Sequence, residues 1–180
     1  KRLMGIAKAN MNEGEHQAAE IALLEAAAID DTKAGPHHLM ALIAYQNGRF
    51  EESGNKILEA TSRDEDDPAI HSDCGAIMNI LGRAAEAEAA CRHVIDLNPN
   101  YMEAYNNLSV ALSLQNRLEE ALDICNIVLK RDPNYVDALI NKASTLLKLD
   151  DPIAAIEVFT NVIKTMPSNV VARMGLAAAL

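Results

Sequence analysis

The sequence predicts an all-α chain of stacked antiparallel helix pairs, and three observations carry that prediction. Turn-forming residues recur every 34 positions, small residues recur at the same interval inside apolar-periodic stretches, and the composition favours helix throughout. Hydrophobic residues make up 49% of the 180 residues but aromatics only 3%, with no Trp, so the apolar content rests on Ala, Leu, Ile, Val and Met. Most of these are good helix formers. The eight Gly and six Pro are read as lying between the periodic stretches.

The repeat is clearest in its closing turn. Asn98-Pro99-Asn100-Tyr101 is followed 34 residues later by Asp132-Pro133-Asn134-Tyr135, and after the same step by Met166-Pro167-Ser168-Asn169. A column of small residues runs through Ala7, Ala41, Gly75, Ser109, Ala143 and Ala177, and a second through Ala19, Ser53, Ala87, Ala121 and Ala155. A third holds Gly14, Gly48, Gly82, Asn116 and Asp150, the residue types that tolerate a left-handed backbone. Within one unit, Met102–Gln115 and Leu118–Arg131 are two apolar-periodic stretches. Leu108, Ala111 and Leu112 fall at helical spacing in the first, and Ala121, Cys125 and Val128 in the second.

Each column has a physical role. The Gly/Asn/Asp column ends the first helix with a left-handed cap. The small columns let helix backbones approach closely, and the Pro column ends the second helix. Asp67-Pro68 and Asp151-Pro152 read as helix starts, an acidic N-cap before a Pro at the first helical position. The run Arg63–Asp67 lacks the alternating ligands and central Gly of a calcium loop, so it reads as a solvated capping loop.

Residues 102–135 resemble the tetratricopeptide repeat (TPR) family, with Tyr105, Leu108, Ser109, Leu112, Ala121, Cys125, Val128 and Pro133 on its signature positions. The resemblance extends over units 1–33, 34–67, 68–101, 102–135, 136–169 and a partial 170–180. Lys142 departs from the pattern in a slot usually held by Leu. Asp31 and Glu65 replace the closing Pro, and Asn10 sits where a large apolar residue is expected. The resemblance implies one right-handed superhelical solenoid domain over 1–180, with five repeats and part of a sixth. Such stacks need polar terminal caps. The apolar Ala177-Ala178-Ala179-Leu180 offers none, so the chain is expected to be a fragment of a longer protein or to have that end covered by a partner.

The charge narrows the function. A formal net charge of −10 repels phosphate backbones and anionic membranes, so neither nucleic acid nor membrane is an expected partner. No apolar run reaches the ~20 residues of a membrane span. Cys74, Cys91 and Cys125 are an odd number without metal-ligand spacing, which fits inert core thiols in a reducing, cytoplasmic setting. His37 and His71 share the column of Tyr105 and read as packing residues. His16 and His93 stand alone. Glu51-Glu52 and Glu119-Glu120 start second helices, where they favour the helix dipole. No catalytic, cofactor or metal site is expected.

The family resemblance implies that the first helix of each unit lines a concave groove. The expected groove residues are His38, Leu39, Leu42 and Tyr45 in the second unit, Asp73 and Asn79 in the third, Asn106, Asn107 and Val110 in the fourth, and Asn141, Ser144 and Lys148 in the fifth. Amide side chains donate and accept together, so a row of them suits an extended peptide backbone. Asn107 and Asn141 resemble two rungs of the asparagine ladder of protein O-linked N-acetylglucosamine transferases. Asp73, Leu39 and Gly5 hold the other equivalent positions. The family's cationic grip on C-terminal carboxylates is not expected, because Lys1, Lys8 and Lys148 are widely separated. The expected function is a non-catalytic scaffold holding a partner's peptide or helix. One alternative is the substrate-recruiting arm of a larger enzyme such as a protein glycosyltransferase, which His71, Gly75, Ala76, Gly82 and Arg83 resemble. The other is self-association through the apolar C-terminal end near Met174 and Leu176.

Overall fold

A computed structural model describes residues 1–180 and contains eleven helices and no strand. They are α1 (Arg2–Asn12), α2 (His16–Ile29), α3 (Ala34–Gln46), α4 (Phe50–Thr61), α5 (Pro68–Ile80), α6 (Ala84–Leu97), α7 (Met102–Leu114), α8 (Leu118–Arg131), α9 (Val136–Lys148), α10 (Pro152–Thr165) and α11 (Val170–Ala179). From α3 onward the odd-numbered helices begin at Ala34, Pro68, Met102, Val136 and Val170, each 34 residues after the last. The even-numbered helices keep the same interval from His16 to Pro152.

The turn column behaves as its residue types require. Gly14, Gly48 and Gly82 have φ of 77°, 72° and 71°, and Asn116 and Asp150 have 59° and 62°. Each ends an odd-numbered helix with a left-handed residue, so the chain reverses within a few residues. The closing turns have their own device. Asp30, Asp64, Asn98 and Asp132, again 34 apart, each accept a hydrogen bond from the backbone N–H two residues on. Asp67, Asp151 and Asn169 then accept from backbone N–H groups inside the first turns of α5, α10 and α11. These caps satisfy donors that a helix start leaves without partners.

The chain forms two compact units, Lys1–Arg83 and Ala84–Leu180. In the first, α1 pairs with α2 and α3 with α4, while α2 packs on α3 and α4 on α5. Its core includes Ala7, Ala19, Leu23, Met40 and Ile43. In the second, α7 pairs with α8 and α9 with α10. There α6 packs on α7, α8 on α9, and α11 on α10 and α9. Leu108, Leu112, Ala121 and Cys91 form one part of that core, and Phe159, Ala155, Val162 and Ala143 another.

The small columns mark the closest approaches. Ala19, Ala41, Ala87, Ala121, Ala143 and Ala155 are all fully buried. Ser53 is also buried, and its hydroxyl donates to Ala41 O at 2.8 Å, so its one polar group is satisfied. Ala177 is exposed. One expectation needs correction: Gly5, Gly35, Gly54, Gly75 and Gly175 lie inside helices rather than between them. At Gly54 and Gly175 the reason is packing, since an added Cβ would meet Leu81 and Phe159 respectively.

Polar staples join consecutive repeats within each unit. Arg49 reaches back to Glu20 and forward to Glu52, and 68 residues later Arg117 binds Glu88 at 2.7 Å and Glu120 at 2.6 Å. Arg63 donates to Asp31 O, and Arg131 donates to Pro99 O while lying 4.8 Å from the centre of the Tyr105 ring. His37 is 4% exposed. Its Nε2 lies 2.9 Å from Asp31, and its Nδ1 lies 2.7 Å from Glu59. It is thus a packed core imidazole between carboxylates. Cys74, Cys91 and Cys125 are buried thiols not joined in disulfides, and burial pushes the Cys125 thiol up from its ordinary value.

Candidate functional site

The expected groove residues fall on the odd-numbered helices: His38, Leu39, Leu42 and Tyr45 on α3, Asp73 and Asn79 on α5, Asn106, Asn107 and Val110 on α7, and Asn141, Ser144 and Lys148 on α9. Helical geometry explains the pattern. The residues facing the paired helix are buried, and most of those on the adjoining face are half-buried, with Tyr45 and Lys148 exposed.

In the first unit, His38 Nε2 lies 2.7 Å from Asp73 Oδ2, which joins α3 to α5. Leu39 packs against the core of α1 and α2, so only part of it is open to a ligand. Tyr45 is 38% exposed and meets Phe50 edge-on, with ring centres 5.7 Å apart. Asn79 is half-buried near the end of α5.

In the second unit, Val110, Asn141, Ser144 and Lys148 come together around a pocket of about 150 Å³, also lined by Ser113 and Leu114. Asn141 Nδ2 donates to Asn106 Oδ1 at 2.8 Å, and Lys148 Nζ donates to Ser113 Oγ at 2.9 Å. Ser109 and Thr145 turn their hydroxyls back onto Asn106 O and Asn141 O, so these buried polar groups are spent within their own helices. Asn107 is half-buried on α7 but does not line this pocket. Burial, and then the charges of Glu103, Asp137 and Asp132, push the Tyr135 phenol up, whereas Lys148 sits at the far end of α9.

The first unit also holds a site that sequence reasoning missed. A cleft of about 780 Å³ lies among α1, the end of α2 and the start of α3, and Lys1, Arg2, Lys8 and Lys33 surround it. A second hollow of about 450 Å³ shares Met4, Lys8, Lys33 and Pro36 with it and extends to His38, Leu39 and Ile70. Lys1 and Lys8 were identifiable from the helical register. Arg2 and Lys33 were not, because Arg2 lies off the groove register and Lys33 lies in a closing turn.

A chain of helical hairpins in register, with polar and apolar side chains displayed on the first helix of each pair, defines an α-helical repeat protein. The tetratricopeptide repeat family matches residues 80–143. The chain has the tetratricopeptide-repeat fold, and solved structures of that fold resemble it along most of its length. YrrB, a TPR protein with an unusual peptide-binding site, matches at a TM-score of 0.80 with 20% identity, covering 99% of this chain and 91% of its own. MamA from Desulfovibrio magneticus RS-1 matches at 0.82 with 18% identity over 93% and 95% of the two chains. Pseudomonas aeruginosa pilF matches at 0.77 with 15% identity over 99% and 87%. At these identities the likeness is one of fold. No curated protein sequence matches the chain significantly. No helix is long and apolar enough to cross a membrane.

Proposed function

We propose that this chain is a non-catalytic scaffold that holds an extended peptide or a helix of a partner protein against the half-buried faces of its odd-numbered helices. The observation that carries this reading is the unspent hydrogen-bonding capacity beside a side-chain-sized hollow on α7 and α9. Asn141 uses one N–H on Asn106 and keeps a second N–H and its carbonyl oxygen. Ser144 and Val110 line the same hollow, so a peptide backbone finds polar partners there and one side chain finds an apolar seat. The peptide-binding site of YrrB, on the same fold, supports the reading by analogy.

Selecting from a random peptide library against the chain tests this. Selected peptides are expected to lose affinity for the Asn141→Ala variant and for Val110→Glu, with circular dichroism unchanged. Equal affinity for both variants would remove this face as the site.

A second reading, self-association through α11, is supported by Val171 and Met174, which are 58% and 69% exposed. Leu176 is not part of that surface, because it packs against the Phe159 cluster. Light scattering of Val171→Lys/Met174→Lys tests it. A particle size equal to that of the parent chain counts against the reading.

A further inference from the structure

We propose that the cleft of the first unit selects an acidic peptide segment carrying an apolar side chain. This deepens the scaffold reading and rests on it. Three features of the cleft point to that ligand.

The first is uncompensated charge. The chain carries 26 Asp and Glu against 16 Lys and Arg, and the cations on α4 and its flanking turns are matched. Arg49 is held by Glu20 and Glu52, Lys56 by Glu59 and Arg63 by Asp31. Lys1, Arg2 and Lys8 have no carboxylate partner, yet they converge on one cleft. Lys33 has only a loose contact with Asp30 at 3.7 Å, and its side chain is 71% exposed. Asp30 is the single carboxylate on that wall.

The second is the floor. Met4, Ala26, Ile29 and Pro36 line the space between the cations, and Ile29 is 77% exposed. A cationic rim over an apolar floor is the complement of carboxylates flanking an apolar side chain. Burying that side chain excludes water and strengthens the charge contacts around it. The cleft's volume of about 780 Å³ lies within the ordinary range for ligand pockets.

The third is direction. The adjoining hollow is lined by Lys8 and Lys33 and, from the turn before α5, by Asp64 and Asp67. Those carboxylates are occupied as backbone caps, with Asp64 accepting from Asp66 N and Asp67 from Ala69 N, but they keep their negative charge. An acidic ligand is therefore steered toward α1 and turned away from the start of α5.

The test uses fluorescence anisotropy with two labelled peptides, one placing Glu residues on both sides of a Leu and the other replacing each Glu by Gln. Both are amidated, so that only side-chain carboxylates contribute. The acidic peptide is expected to bind at least about tenfold more tightly than the Gln peptide at low salt, and to weaken as salt shortens the screening length. Lys8→Glu/Lys33→Glu, both at exposed positions, is expected to abolish that preference while leaving the melting curve unchanged. Equal affinity for the two peptides overturns the proposal while the scaffold reading stands. Binding of the acidic peptide only when its C-terminus is a free carboxylate overturns it in favour of a chain-end ligand. A particle size in light scattering that falls with the double variant overturns it in favour of a second copy of this chain. If neither these peptides nor any library peptide binds, both the cleft proposal and the scaffold reading fall.

Discussion

Two glycines inside helices give the most direct test of the packing, because intrinsic propensity and tertiary contact pull against each other there. Replacing a helical Gly by Ala stabilises a helix by about 0.8–1 kcal/mol on propensity alone. At Gly54 the new Cβ would stand 2.6 Å from Leu81 Cδ1, with Met78 Cε next at 3.8 Å. Leu81 is half-buried, and the atom in the way is the tip of a flexible side chain. Moving it off its preferred rotamer costs about 0.5–1.5 kcal/mol, so Gly54→Ala is expected to be close to neutral. At Gly175 the new Cβ would lie 2.6 Å from Phe159 Cε1 and 2.8 Å from Cε2, with Cζ nearer still. Phe159 is 1% exposed and sits in the core of α9, α10 and α11, so the ring has nowhere to go. Overpacking of that kind costs about 1–3 kcal/mol. With three ring atoms in the way the upper end applies, leaving Gly175→Ala less stable by about 2 kcal/mol. For a chain of this size that lowers the melting temperature by about 4–8 °C. Thermal melts followed by circular dichroism decide the matter. If the two variants move together, or Gly175→Ala melts higher than the parent, the placement of α11 against Phe159 is wrong.

Further outcomes follow from the turns, the staples and the thiols. Asp150 holds a φ of 62°, so Asp150→Gly is expected to raise stability by about 1 kcal/mol and Gly82→Ala to lower it by a similar amount, both read from urea midpoints. Burial pushes the Glu88 carboxyl up, but hydrogen bonds from Gln115, Arg92 and Arg117 together outweigh it and leave the pKa below its ordinary 4.5. A depressed carboxylate contributes stability that is present above the unfolded value and is lost as pH falls through the folded one. Melting temperature is therefore expected to fall below about pH 4.5, less steeply in Glu88→Gln; identical acid profiles would show that the Arg117 staple does not contribute. Asp31, lowered by the Arg63 hydrogen bond and then by that of His37, acts in the same direction. The thiols of Cys74, Cys91 and Cys125 are at most 3% exposed, so a disulfide reagent is expected to label none of them in the native chain and all three in denaturant. Rapid labelling without denaturant would mean that the hairpins open locally.

What the sequence could reveal was whatever repeats by column. The residue types at Gly48, Gly82, Asn116 and Asp150 dictate a left-handed turn wherever they stand, and the small side chains at Ala41, Ser53 and Ala121 dictate close approach. The fold was therefore readable from residues compared at an interval of 34. Contacts between repeats obey other intervals. His38 meets Asp73, Asn106 meets Asn141 and Ser113 meets Lys148, each 35 residues apart. Arg49 and Arg117 reach partners 29 residues back, and Arg63 and Arg131 reach carbonyls 32 residues back. The cause is geometric: a side chain leans along its own helix, so it touches a neighbour in the next repeat rather than its own equivalent. Pairing Asn107 with Asn141 by column thus joins equivalents, whereas the donor of Asn141 is in fact held by Asn106. The cationic cleft escaped notice for a related reason, since Lys8 and Lys33 occupy different columns of the first repeat, one on α1 and the other in its closing turn. A ligand bridging two repeats would be gripped by residues of different columns as well, so variants meant to break a groove in this fold are better chosen as pairs 35 apart than as pairs 34 apart.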